Sequence, residues 1–369
     1  MNERARAPFV LVAAGGTGGH LFPAQALSVA LRARGVTVDL ATDERAVHYG
    51  PDFPARETHI LPSATLRGRN PVAIARTVAT LGLGVAKAWS LLGRLKPDVV
   101  VGFGGYPTVP PVLAASLRGI PTVLHEQNGV MGRANRFLSS RVTAIASSMR
   151  SVAGMSDALR AKTTFTGNPV RPNVIAAAAV PYAPPVAGGS LNLLVFGGSQ
   201  GARVMADVVP SALALLDAPL RARIAVTQQA RGEDIDRAKA SYAHHGIAAE
   251  VAAFFSDLPD RIARAHLVVS RSGASTVAEL AVIGRPAILV PLPHALDQDQ
   301  FANATMLAEA GGAICIAQRD FTPNRLAAEL AALSADSARL AGMAAGARSA
   351  GAPDAAEKLA DLVLRVAKR

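Results

Sequence analysis

Two short apolar runs, one near the start of the chain and one past its middle, each end in a cluster of glycines that opens a helical pattern. Phe9-Val10-Leu11-Val12-Ala13 leads into Gly15-Gly16-Thr17-Gly18-Gly19-His20, and an apolar-periodic segment from about Leu21 to Arg34 follows, stopped by Gly35. Leu191 to Phe196 leads into Gly197-Gly198-Ser199-Gln200-Gly201-Ala202-Arg203, again before a helical segment. Glycine after a strand lets the main chain turn tightly and approach a ligand, and the helix start that follows offers free N–H groups to an anion. Further strand-like runs at Val36–Leu40, Asp98–Val101, Thr122–Leu124 and Val142–Ile145 precede the second loop, and Arg223–Thr227, His266–Ser270, Ala287–Val290 and Ala313–Ile316 follow it. Continuous apolar strands alternating with helices specify an α/β chain with parallel sheets covered on both faces. The restart of the pattern specifies two doubly wound domains, with ligands expected at the carboxyl ends of the strands and a cleft where the domains face.

The 369 residues suit two domains, expected over 1–170 and 171–352, with a closing helix over 353–369 that packs back on the first. The stretch Ala176 to Gly189, rich in Ala, Pro and Gly and without charge, reads as a linker or long surface loop. Half of the residues are apolar, which excludes disorder. The one cysteine, Cys315, excludes an internal disulfide or a multi-thiolate zinc site and reads as a core residue. No stretch holds the roughly 18 uncharged apolar residues of a spanning helix. The charged start Met1 to Arg6 is not a secretory signal, so the chain is expected in the cytoplasm.

The net charge of +11 is lopsided. Residues 1–170 hold 19 Lys/Arg against 9 Asp/Glu, and residues 171–369 hold 19 against 18. A polyanionic partner of the first half is expected: a membrane surface, a nucleic acid or a phosphorylated substrate. Aromatics at 4%, with no RNA-recognition signature or zinc finger, argue against nucleic acid. Between residues 66 and 96, Arg67, Arg69, Arg76, Lys87 and Arg94 interleave with Ile74, Trp89 and other apolar residues, which suits an anionic bilayer or a core helix with a solvated basic face.

Neither glycine loop is a Walker loop, and Phe22 occupies the Gly/Ala slot of a dinucleotide fingerprint. A third strand-to-helix joint, Ser270-Arg271-Ser272-Gly273-Ala274-Ser275-Thr276, places Glu279 about a turn and a half into its helix, where a carboxylate could accept ribose hydroxyls or simply favour the helix start. The polar loop from Pro291 to Gln300 suits a ligand lining, or capping of the next helix by Asp297. A helix start disfavours a protonated imidazole, so His20 is a candidate base near neutral pH. No HExxH pair, metal-ligand spacing or Gly-x-Ser-x-Gly elbow occurs, and no metal site or cofactor is expected.

The first glycine loop, Gly102-Phe103-Gly104-Gly105-Tyr106, His125-Glu126-Gln127-Asn128-Gly129, Thr166-Gly167-Asn168-Pro169-Val170-Arg171, the second glycine loop, and Arg271 through Glu279 run in one order along nearly the whole chain. With these residues the chain resembles the MurG family, bacterial transferases that add N-acetylglucosamine to lipid I in peptidoglycan synthesis. The resemblance implies a GT-B fold, UDP-N-acetylglucosamine as donor, lipid I as acceptor and peripheral binding to anionic phospholipid on the cytoplasmic face of the inner membrane. Contacts with cell-wall and division machinery are implied too. On the donor it implies Thr17, Gly18, Gly19, Asn128, Arg171, Ser199, the loop near Phe255, Ala274, Ser275, Thr276, Glu279 and Gln300. On the acceptor it implies Gly16, His20, Tyr106 and Glu126, with His20 as base, or as a residue that only orients the acceptor diphosphate, and Glu126 as the alternative base. The family often has paired Gln or His-Gln where this chain reads Asp299-Gln300, so only the role of Gln300 carries over. Rival readings are a UDP-N-acetylglucosamine 2-epimerase of related fold, a dinucleotide oxidoreductase using Asp43, and a non-catalytic basic binding module.

Overall fold

A computed structural model describes residues 7–44, 53–65, 70–186, 188–198, 201–293 and 298–368. The chain divides into one unit of residues 1–171 with 353–369 and a second of residues 172–352. The first runs β1 (Phe9–Ala13), α1 (Gly18–Ala33), β2 (Thr37–Thr42), β3 (Thr58–Ile60), α2 (Pro71–Leu95), β4 (Val99–Gly102), α3 (Val109–Leu117), β5 (Thr122–Glu126), α4 (Arg133–Leu138), β6 (Ala144–Ser147), α5 (Asp157–Arg160) and β7 (Thr163–Phe165). The second opens with α6 (Pro172–Ala177) and continues β8 (Leu191–Phe196), α7 (Arg203–Ala214), α8 (Ala218–Arg221), β9 (Ile224–Gln229), α9 (Ile235–His244), β10 (Ala249–Ala252) and α10 (Leu258–Arg264). It ends with β11 (Leu267–Ser270), α11 (Ala274–Ile283), β12 (Ala287–Leu289), α12 (Asp299–Glu309), β13 (Ala313–Cys315), α13 (Pro323–Ser334) and α14 (Ser337–Ser349), after which α15 (Ala355–Ala367) returns to the first unit.

Among the described residues the first sheet has the order β3-β2-β1-β4-β5-β6-β7 and the second β10-β9-β8-β11-β12-β13, with parallel pairing throughout. The two orders are the same doubly wound topology: each unit begins in the middle of its sheet, builds to one side, then crosses back. The order reverses between β1 and β4 and between β8 and β11. Loops leaving adjacent strands diverge there to opposite faces, which opens a crevice at the strand carboxyl ends. Each glycine loop leaves one strand of such a pair, so the fold puts both loops at switch points.

The central strands are the apolar runs of the sequence; every residue of β1 is buried. Strands β3, β7 and β10, which no apolar run announces, are sheet edges, short and half-exposed. An edge strand needs no continuous apolar run because solvent covers one side of it. Leu359, Ala360, Leu362, Val363 and Val366 of α15 join the core formed with β1, β2 and β4. Arg34 of the α1 C-cap pairs with Asp361 at 2.6 Å and with Glu357.

The uncharged stretch 176–189 is not a free linker. Val180 O accepts from Arg285 Nη2 at 2.9 Å, the Tyr182 hydroxyl donates to His266 O at 2.9 Å, and Ser337 Oγ donates to Pro185 O at 2.7 Å. These bonds strap it to the second unit. Cys315 is half-buried on β13, where burial pushes its thiol up and away from reactivity.

Helix α2 is long and apolar enough to cross a membrane by length and composition, which the sequence reading did not anticipate. It packs on the body of its own unit through Thr77, Gly84, Ala88, Leu91 and Leu92. A Cβ on Gly84 would stand 2.2 Å from Pro62 O and 3.0 Å from Pro110 Cγ, so glycine sets how closely the helix approaches. Most of its other side chains are exposed.

Candidate active site

In the first unit, the loop after β1 has no room for side chains at its start. A Cβ on Gly15 would lie 2.8 Å from Thr42 Oγ1 and 3.1 Å from Asp43 Oδ1, and Gly16 has φ +82°. Thr17 then occupies the N-cap of α1 in extended conformation, and His20 falls in the first turn. Thr17 Oγ1 lies 3.1 Å from His20 Nδ1. The loop after β4 closes over the same ring: Gly104 and Gly105 have φ +82° and +72°, and side chains there would meet His20 at 3.5 and 3.4 Å. Tyr106, half-buried, follows this turn.

The His-Glu-Gln-Asn segment at the end of β5 is scaffold for its first three residues. His125 Nε2 lies 3.1 Å from Gly167 O, and His125 Nδ1 lies 3.1 Å from the Gln127 amide nitrogen, which also donates to Phe103 O at 2.8 Å. This network assigns a neutral ring protonated at Nε2. Burial pushes the His125 pKa down to about 4, so the ring stays neutral at working pH. Glu126 is buried, and it accepts from Asn128 N (3.0 Å), Gly132 N (3.0 Å), Asn135 Nδ2 (2.8 Å) and Asn128 Nδ2 (3.3 Å).

Burial raises the Glu126 pKa, against the pull of those donors. The carboxylate faces inward, so the expectation that Glu126 touches the acceptor or serves as base is corrected. Its role is to hold the turn that presents half-buried Asn128. Arg171 sits with its guanidinium 3.9 Å from the centre of the Phe22 ring. Phe22 thus departs from the dinucleotide fingerprint for a structural reason: the ring is a cation–π seat for Arg171, beside the glycine loop.

The second unit builds its glycine loop by tighter means. A Cβ on Gly197 would stand 2.2 Å from Ala202 N, and Gly198 and Gly201 have φ +77° and +66°. Ser199, expected at the diphosphate, lies outside the described residues. On the adjacent strand, β11 ends at Ser270, and α11 starts at Ala274 after the N-cap Gly273, which supplies no side-chain cap. Ala274, Ser275 and Thr276 therefore form a first turn whose N–H groups suit an anion, with no acidic side chain in it. Glu279 is buried in the next turn.

Three residues that the sequence reading left without a role tie these loops together. Arg271, nearly buried, donates to Val290 O (3.0 Å), Pro291 O (3.1 Å) and Gln318 Oε1 (2.5 Å). Burial lowers the Arg271 pKa from a very high starting value, and the side chain remains a cation facing carbonyls. Ser272 Oγ donates to Gln300 O (2.7 Å) and Asn303 Nδ2 donates to Ser272 O (3.2 Å). The Gln300 side-chain oxygen accepts from Leu292 N at 3.1 Å, leaving its amide nitrogen to offer a ligand. An arginine and serine between a buried strand and a helix start was the signal available for the first two.

Phe255 is buried with Arg261 stacked 4.1 Å from its ring centre. What that loop can offer a base edge at this position is main chain rather than the ring. Asp297, considered as a cap, lies outside the described residues, and the N-cap of α12 is Gln298. Asp39, Glu57 and His59 come within metal-ligating distance of one another. Arg56 nevertheless donates to both Asp39 oxygens at 2.9 and 2.8 Å, so the charge of that carboxylate is already met.

Comparison with known proteins converges on one group. The glycosyltransferase family 28 N-terminal domain matches residues 10–147, and the glycosyltransferase family 28 C-terminal domain matches residues 192–359. A protein of Rhodopseudomonas palustris (strain BisB18) is 62% identical over 99% of this chain and 97% of its own length, and one of Bradyrhizobium diazoefficiens is 59% identical over 98% of each. Both are described as UDP-N-acetylglucosamine--N-acetylmuramyl-(pentapeptide) pyrophosphoryl-undecaprenol N-acetylglucosamine transferase. The crystal structure of MurG from Acinetobacter baumannii superposes with a TM-score of 0.77 at 29% identity, covering 97% of this chain and 99% of that one. A UDP-GlcNAc 2-epimerase from Neisseria meningitidis, at 14% identity and a TM-score of 0.65 over 97% of this chain and 100% of its own, shares the fold alone.

Proposed function

The chain belongs to glycosyltransferase family 28 and has its GT-B fold, and from that premise we propose that it transfers N-acetylglucosamine from UDP-N-acetylglucosamine to the 4-hydroxyl of N-acetylmuramic acid in lipid I. The product is lipid II, joined β-1,4 with inversion. The observation that carries this reading is identity of 59–62% over essentially the full length with relatives described by that activity. An epimerase shares the fold at far lower identity and gives no account of the basic first unit.

Inverting transfer needs a base on the acceptor hydroxyl and neutralisation of the departing UDP. His20 is the base: its neutral imidazole takes the proton of the 4-hydroxyl as that oxygen attacks the anomeric carbon. The bond from that carbon to UDP breaks, and its electron pair leaves on the phosphate oxygen. Thr17, Gly18, Gly19 and Asn128 face the sugar, and Gly16 and Tyr106 the acceptor. In the second unit the N–H groups at Ala274, Ser275 and Thr276 and the loop after β8 receive the diphosphate. Glu279 takes the ribose hydroxyls, and Gln300 a sugar hydroxyl. Arg171, held flat on Phe22, adds positive charge.

The acceptor is anchored in a bilayer, and α2 suits such a surface. Val72, Ile74, Val78, Leu83 and Trp89 are exposed on it, interleaved with exposed Arg76, Lys87 and Arg94. Arg67 and Arg69 lie outside the described residues. The protein then works peripherally at the cytoplasmic face of the inner membrane, on anionic phospholipid, where cell-wall and division proteins are its expected neighbours. Co-sedimentation with vesicles checks this: the triple change Arg76→Glu, Lys87→Glu and Arg94→Glu should abolish binding to anionic vesicles. Undiminished binding would remove α2 from the reading.

The activity itself is tested by following labelled N-acetylglucosamine from its UDP donor to a lipid I analogue in EDTA. Labelled lipid II is expected. No transfer by folded enzyme, even with Mg²⁺ restored, would overturn the proposal.

A further inference from the structure

An N-cap threonine ordinarily spends its hydroxyl on the N–H groups of the first helical turn, a bond worth about 1 kcal/mol. Thr17 stands at the N-cap of α1 with the extended backbone of a capping residue (φ −152°, ψ 158°), yet its side chain makes no cap. The hydroxyl lies instead 3.1 Å from Nδ1 of His20. The His20 ring is also fixed from a second side. The Gly104–Gly105 turn lies across it with left-handed φ at both residues, and Asn135 backs Gly104, its amide nitrogen 3.4 Å from where a Gly104 side chain would begin. Asn135 in turn is tied to Glu126 Oε2 at 2.8 Å. The ring therefore stands against the Gly104–Gly105 main chain, which leaves the placing of its proton to the groups at its nitrogens.

That placing matters because a base must direct a lone pair at its substrate. An imidazole takes the tautomer that the hydrogen bond at its other nitrogen dictates. The same unit contains the opposite case: His125 has a carbonyl at Nε2 and an amide donor at Nδ1, so its proton sits on Nε2. At His20 the group at Nδ1 is a hydroxyl, which can accept.

We propose that Thr17 is a positioning residue whose Oγ1 accepts the Nδ1–H of His20 and so keeps the Nε2 lone pair toward the acceptor hydroxyl. The proposal rests on the reading of His20 as base. Thr17 touches the reaction through the imidazole: when Nε2 takes the acceptor proton, the Nδ1–H bond to Oγ1 holds the imidazolium in place until it returns that proton to water.

The test has one readout without substrate and one with it. Two-bond ¹H–¹⁵N correlation of the ring nitrogens, with His20 identified by its loss in His20→Ala, should show the Nδ1–H tautomer in the wild type. In Thr17→Val, which keeps the shape and loses the hydroxyl, the ring should move to Nε2–H. Turnover of Thr17→Val at saturating donor should fall by about tenfold, less than where a buried carboxylate orients a catalytic histidine, whatever change in donor KM follows from its place beside the sugar. Thr17→Ser should regain most of that loss. In a His20→Ala background, Thr17→Val should cost no further turnover.

An Nε2–H tautomer in the wild type would overturn the proposal. So would a loss of turnover by the same factor with and without His20, because Thr17 would then act on turnover through its sugar contact alone. A His20→Ala enzyme with intact turnover overturns the base reading instead, and the two failures are distinguishable because the tautomer is read on the free enzyme.

Discussion

His20→Ala should lower turnover of lipid I by at least roughly a hundredfold at neutral pH while UDP-N-acetylglucosamine binds as before. The size follows from the role: a positioned base supplies about two to four orders of magnitude, and alanine leaves only water to take the proton. The retained donor affinity follows from place. His20 lies in the first unit, at the crevice between β1 and β4, whereas the helix start at Ala274, the buried Glu279 and the loop after β8 are built from the second unit. Steady-state kinetics with both substrates varied, beside donor binding by calorimetry, separates the outcomes. A raised lipid I KM with turnover within tenfold would make His20 an orienting residue for the acceptor diphosphate, and the base would have to be sought elsewhere.

Arg285→Met should destabilise the second unit by roughly 3 kcal/mol or more and lower its melting temperature by about ten degrees. Arg285 is almost wholly buried, and among the described residues no carboxylate is a hydrogen-bond partner of it. Its guanidinium donates instead to main-chain carbonyls: Ala263 from Nε at 3.0 Å, Ile283 from Nη1 at 2.8 Å, Gly284 from Nη1 at 3.1 Å and Val180 from Nη2 at 2.9 Å. One side chain thus closes the ends of α10 and α11 and holds the strap 176–189. Methionine fills much of the volume but strands those carbonyls away from water, each at a cost of about 1–3 kcal/mol before relaxation. Thermal unfolding followed by calorimetry checks it, and an unchanged transition would mean that water replaces the guanidinium. Lysine should recover little, since a single ammonium cannot reach carbonyls on three segments.

The two predictions sit at opposite ends of what a sequence makes visible. His20 was legible because its meaning is local: a histidine one turn into a helix, behind a glycine loop, carries its chemistry with its neighbours. Arg285 was not. It reads as an ordinary arginine before a strand, and nothing within a few residues reveals that its partners include Val180, more than a hundred positions away.

The same division runs through the rest of the molecule. Amino-acid order alone determined two doubly wound α/β units, each glycine loop at the end of a first strand, the basic first half, and the motif order that marks the family. All of these are carried by apolar periodicity, glycine placement and charge, which act over a few residues. Tertiary structure decided what those signals leave open. Strands β3, β7 and β10 exist because a neighbouring strand offers hydrogen bonds, with no apolar run of their own to announce them. Glu126 and Phe255 turned inward, one into main-chain donors and the other beneath Arg261, because burial is settled by what packs above a residue. Phe22, an anomaly in a fingerprint, became the seat of Arg171 only once the chain had returned to α1, 149 positions further on. Local preference specifies elements and their order. Which side chain meets which partner is a contest for space and hydrogen bonds that only the assembled fold resolves.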